Sequence, residues 1–99
     1  MSYQADLIKY TKIGEIYRRG FARLYLYSLG QQIVITSAQI DGTNYFSQSV
    51  SPPYLVKGYN EVFIYFPGML NDLRIGDRRT VLLTTLDRST VGIPAIVIS

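Results

Sequence analysis

The chain has 99 residues, enough for one domain with one core, expected here to span residues 1–99. It contains no Cys and no His, which excludes disulfides, Cys/His zinc sites, Ser-His-Asp triads and Cys–His pairs. Charged residues make up only 17% against an ordinary share of about 25%, and 47% are apolar, so the composition favours a packed core over disorder.

The formal charge of +3 is unevenly placed. Residues 1–23 hold Lys9, Lys12, Arg18, Arg19 and Arg23 against Asp6 and Glu15, whereas residues 24–99 hold five basic and five acidic residues. In the same segment Tyr3, Leu7, Tyr10, Gly14, Tyr17, Phe21 and Leu24 recur at spacings of three and four, the period of one helix face. Thr11, Gly14 and three isoleucines weaken a helix there and suit a strand. Residues 1–19 are therefore expected as a basic and aromatic segment, helix or strand, packed on the domain that follows.

From residue 20 onward the pattern is strand, turn, strand. Phe21 to Tyr27 alternates, with Ala22, Leu24 and Leu26 on one side and Phe21, Arg23, Tyr25 and Tyr27 on the other. Gln32 to Ile40 is rich in β-branched residues and stops at an Asp41-Gly42 turn. Thr43 to Gln48 reads as a short strand, and Ser51-Pro52-Pro53 as a breaker. Lys57-Gly58 turns the chain into Asn60 to Phe66, the most strand-like run, which Pro67-Gly68 ends. Met69 to Leu73 reads as one helical turn and Ile75-Gly76-Asp77 as another turn. Arg79 to Leu86 and Ile93 to Ile98 form the last pair, joined by a hairpin loop at Asp87 to Thr90. Six to seven short antiparallel strands at this spacing predict an all-β domain, a sandwich or small barrel. Its core is expected to hold Leu24, Leu26, Val34, Val62, Ile64, Val81, Leu83, Ile96 and Ile98.

Several runs are apolar at successive positions: Ile33-Val34-Ile35, Val62 to Phe66, Val81-Leu82-Leu83 and Ile96-Val97-Ile98. A sandwich strand with one wet face should alternate, so these strands require cover on both faces. Either the N-terminal segment folds over the outer face, or these strands are simply central, or that face is a subunit interface. The nine tyrosines suit half-buried and interfacial positions, having large area, few rotamers and a polar tip. Tyr25, Tyr27, Phe63 and Tyr65 are the interface candidates. The alternative is a nucleic-acid surface made of Lys9, Lys12, Arg18, Arg19, Tyr10 and Tyr17, cations for phosphates and rings for bases.

Other charged residues read as local features. Asp77 beside Arg78 and Arg79, and Asp87 beside Arg88, are expected to form ion pairs at turns. Asp72 and Asp77 lack a third ligand for a cation, and no Gly pattern suits a phosphate loop. No catalytic, cofactor-binding or metal-ligating residue is therefore named, and no enzyme activity or small-molecule ligand is inferred. No apolar run reaches the roughly 18–20 residues of a membrane span, and residues 1–6 lack the pattern of a signal peptide.

The stretches Ile35 to Gly42 (ITSAQIDG), Leu55 to Ile64, Ile75 to Thr85 and Ile93 to Ser99 share one rhythm. It resembles the immunoglobulin-like β-sandwich of archaeal pilins and flagellins, with a DG turn, a strand preceded by Gly, and a G-x-x-x-x-V-x-L-x-T strand. The resemblance covers about two-thirds of the chain and implies an immunoglobulin-like sandwich. Residues 1–20 depart from it, being too polar for the long apolar helix of those subunits. The Ile- and Tyr-rich composition is also similar to that of small virion or accessory proteins of archaeal viruses. The resulting expectation is a non-enzymatic structural or interaction module. It associates with itself or with another protein subunit in an extracellular surface assembly or virion.

Overall fold

Strand register, more than strand content, sets the architecture. The computed structural model describes residues 3–99, so the first two residues of the 1–19 segment lie outside the described residues. A 3-10 turn at Gln4–Leu7 leads into β1 (Ile8–Tyr17), β2 (Phe21–Ser28), β3 (Ile33–Ile40), β4 (Phe46–Ser47) and β5 (Ser49–Ser51). Then follow β6 (Tyr54–Leu55), β7 (Gly58–Tyr65), β8 (Arg78–Thr85) and β9 (Thr90–Val97). The protein is all-β, and its only helical element among the described residues is that 3-10 turn.

The strands join in the order β4-β3-β8-β9-β1-β2-β7-β5, with β6 added on β3. The two ends of this sheet are neighbours in sequence. β4 pairs with β3, β5 pairs with β7, and β6 returns to β3. Residues 46–55 thus draw β3 and β7 together and curl the sheet into a nearly closed barrel, which leaves few unpaired edges. The hydroxyl of Ser47 donates to the Tyr65 carbonyl across this seam. The ladders differ from an antiparallel sandwich of six to seven strands in count and in direction: among the described residues there are nine strands, and β1 runs parallel to β9.

That parallel pair corrects the expectation for the N-terminal segment. Residues 8–17 do not pack on the sheet but enter it, with Gly14, Glu15 and Ile16 opposite Ala95, Ile96 and Val97, whereas Gln4–Leu7 packs against the β8–β9 hairpin. The helix-like spacing marks no single face, since Tyr17 and Phe21 point outward whereas Gly14 and Leu24 are buried. Between β1 and β2 the register shifts twice, once after Tyr10 and again after Lys12. Each bulge inserts one residue and moves the outward phase by one, so a strand acquires a local period of three. Met69 to Leu73 also forms no helical turn; a single bond from the Leu73 amide to the Leu70 carbonyl closes a bend there.

The barrel interior is aliphatic. Ile16, Ala22, Leu24, Leu26, Ile40, Val62, Ile64, Val81 and Leu83 are fully buried. Three expected core residues face outward instead. Val34 and Ile96 are half-buried and Ile98 is 42% exposed, while Ile33, Ile35, Ile93, Ala95 and Val97 take the interior. A run that is apolar at every position carries no phase, so pairing alone decides which side turns inward.

A polar clamp holds the 3-10 turn against the β8–β9 hairpin. The Gln4 amide donates to Asp87 Oδ2 at 2.8 Å, and the Ala5 amide donates to Ser89 Oγ at 3.0 Å. The Ser89 and Thr85 hydroxyls each donate to Asp87 Oδ1 at 2.6 Å. Asp87 is thus engaged by donors, not by the expected partner Arg88, whereas Arg79 does approach Asp77 at 3.6 Å. The Ser89 and Thr85 hydroxyls, with the Gln4 amide, hold the Asp87 carboxyl well below the usual carboxylate range. The folded state thereby favours the ionised form, so this contribution is full above the unfolded value of about 3.9 and is lost as the pH falls below it. We expect the urea midpoint, followed by circular dichroism, to drop on acidification below about pH 4. Asp87→Asn should lower the midpoint at neutral pH and flatten that drop; an unchanged acid profile would assign the effect to other carboxylates.

Candidate functional site

The outer side of β1, β2 and β7 forms a continuous lattice. Paired residues on neighbouring strands point to the same side, so register defines its rows. The four rows are Lys9–Tyr27–Tyr59, Lys12–Tyr25–Glu61, Glu15–Arg23–Phe63 and Tyr17–Phe21–Tyr65. Of these twelve residues seven are aromatic, five are charged and none is aliphatic. The inner sides of the same strands carry Ala22, Leu24, Leu26, Val62 and Ile64. Past Tyr65 the face continues into an open groove lined by Phe46, Ser49 and Pro67.

The bulges of β1 build the first column of the lattice. They bring Lys9, Lys12 and Glu15, three residues apart, to one side of a strand. Gly14 permits the second bulge. A Cβ at this position would lie 2.7 Å from both the Arg23 carbonyl oxygen and Leu24 Cδ2. The absence of a side chain lets β1 approach β2 closely enough to keep both of its ladders.

Rings and charges lock one another. Tyr17 stacks on Phe21 with centroids 4.2 Å apart and an interplanar angle of 11°, and Tyr65 lies 6.3 Å beyond Phe21. Lys12 Nζ stands 4.2 Å from the Tyr25 centroid, Arg23 Cζ 5.1 Å from that of Phe63, and Arg19 Cζ 5.2 Å from that of Phe21. Each such contact contributes about 0.5–1 kcal/mol at exposed sites. Arg23 Nε also lies 3.3 Å from Glu61 Oε1. The Tyr25 hydroxyl donates to Glu15 Oε1 at 2.7 Å. Loss of hydration and that bond to a carboxylate both push the Tyr25 hydroxyl above its ordinary pKa, because each favours the neutral phenol.

The two candidate sets read from the sequence as rivals largely share this one face. Tyr27, Phe63 and Tyr65 of the interface set lie on it, Tyr27 43% and Tyr65 49% exposed. Tyr25 belongs to the same lattice but is only 6% exposed, roofed by Lys12 and Glu15. It is a floor for the face, not a contact residue. Of the basic set, Lys9, Lys12 and Tyr17 lie in the lattice, and Arg19 stands over Phe21 at its end. Arg18 sits in the β1–β2 turn with Nη1 directed at the Leu73 carbonyl at 3.4 Å. Tyr10 pairs with Leu26 and lies off the face, lining a cleft with Lys9, Val91 and Gly92. The two candidate sets passed over Glu15, Phe21, Arg23, Tyr59 and Glu61. Strict alternation with Phe63 and Tyr65 marks Tyr59 and Glu61; Glu15 requires knowledge of the bulge.

Two substitutions test this construction. Gly14→Ala forces backbone and Leu24 to move, and we expect a loss of about 1–3 kcal/mol in chemical denaturation. Tyr25→Phe should cost about 0.5–1.5 kcal/mol and remove the raised phenol from an ultraviolet titration. An unaltered titration end point would show that Tyr25 is not the raised group.

No curated protein matches the chain. One family model does, along nearly its whole length. Its match runs over residues 3–96 and its description reads protein of unknown function: the chain belongs to the DUF973 family.

Proposed function

We propose that this protein is a non-enzymatic interaction module that docks on another protein surface through the outer face of β1, β2 and β7. The observation that carries the reading is the lattice composition: seven aromatic and five charged residues on one uncovered face, with the aliphatic residues inside. Tyr, Phe and Arg are the residues that supply most contact energy where proteins meet. Tyr17 and Phe21 are already stacked, and Phe21, Tyr25 and Phe63 lie against cations, so these rings have little rotamer freedom left to lose on docking. The context in keeping with the sequence is a subunit of a surface or virion assembly, with an immunoglobulin-like strand pattern.

A nucleic-acid partner is less well supported. The lattice sets Glu15 and Glu61 in its two middle rows, where they would repel phosphates. Light scattering on the wild type and on Tyr65→Lys tests the docking reading. We expect a mass above that of the monomer for the wild type and a monomer for the variant, with unchanged circular dichroism. Association that survives Tyr65→Lys would locate the contact elsewhere. Steeply salt-dependent binding of a single-stranded oligonucleotide, removed when Lys9, Lys12, Arg18 and Arg19 become Ser together, would favour the nucleic-acid reading instead.

A further inference from the structure

We infer that the occupant of this face is a second copy of the same chain, packed sheet on sheet about a two-fold axis that crosses the strands between the Tyr25 and Arg23 rows. The inference rests on the docking reading and adds partner and register to it.

The argument is charge and ring complementarity. The lattice carries both signs, Lys9, Lys12 and Arg23 against Glu15 and Glu61, as a self-complementary surface must. Rotation about the stated axis sets the first row against the fourth and the second against the third. Lys12 then meets Glu15 of the second copy, above the buried Tyr25. Tyr27 faces Phe21 and Tyr59 faces Tyr65, aromatic against aromatic. Each contact occurs twice, because the axis repeats it. Glu61 meets Phe63, an uncharged ring, and keeps its own Arg23 at 3.3 Å.

The competing face-to-face axis runs along β2. It would set Lys12 against Glu61 but also Arg23 against Arg23 and Phe21 against Phe21, placing two guanidinium groups in contact at the centre. Like charges desolvated together cost more than ring contacts return, so the axis across the strands is preferred. Aligned packing of two twisted sheets at a separation of about 10 Å is an ordinary arrangement.

The native chain has no cysteine, so introduced thiols report without background. Tyr59 and Tyr65 are 57% and 49% exposed, and their substitution leaves the interior untouched. Tyr59→Cys and Tyr65→Cys are prepared separately and treated, alone and mixed, with a bis-maleimide that spans the roughly 10 Å between packed sheets. We expect the mixture to give several-fold more covalent dimer than either variant alone, since position 59 faces position 65. Equal yields in all three samples, with association still abolished by Tyr65→Lys, would keep the docking face and overturn the two-fold register. A monomeric wild type with no cross-linking in any sample would overturn the second copy as partner. Association indifferent to Tyr65→Lys would overturn the docking face itself.

Discussion

The three-residue parallel ladder between Gly14–Ile16 and Ala95–Val97 decides where the N-terminal segment goes, and the surface follows from that choice. A strand inside the sheet satisfies its amides and carbonyls on both sides and leaves the outer faces of its neighbours open. A segment lying across the sheet would have covered Phe63 and Tyr65. On its other side β1 lies against β2 through the bare Cα of Gly14, where a Cβ would come within 2.7 Å of the Arg23 carbonyl oxygen and Leu24 Cδ2.

Magnitudes separate the roles of the two faces. Burying Leu24, Leu26, Val62 and Ile64 contributes about 1.5–3 kcal/mol each relative to exposure. The cation–ring contacts outside contribute about 0.5–1 kcal/mol each. The interior therefore carries the fold, and the exterior is free to be shaped by what it meets. Tyr25 links the two, a ring on the outer side held dry by Lys12 and Glu15 above it.

Much of this was legible in the sequence, and the failures share a cause. Alternation in Phe21 to Tyr27 gave both sides of β2 correctly because polar and apolar residues differ there. Val34, Ile96 and Ile98 were assigned to the wrong side because their runs are apolar throughout and only pairing fixes phase. The three-and-four spacing in residues 3–24 suggested a helix face, whereas its residues fall on different sides of two strands, Tyr17 and Phe21 outside and Leu24 inside. The lattice itself was half visible. Its β2 column could be read locally, but joining it to Tyr59 and Glu61, or to Glu15, requires long-range register that no window of neighbouring residues contains.

The clamp between the 3-10 turn and the β8–β9 hairpin has a kinetic consequence. Gln4 and Asp87 are 83 positions apart in the chain, and the β1–β9 ladder joins residues nearly as distant. The β1–β2 hairpin closes over a short loop, so it can form early and locally. Sheet closure must await the search of a loop spanning most of the chain, and all-β domains ruled by such contacts fold in milliseconds to seconds. During that interval the hairpin shows water both its faces, the aliphatic one and the aromatic one. Arginine and lysine set among the rings then act as guards against premature association, keeping the unfinished sheet in solution until its interior is sealed.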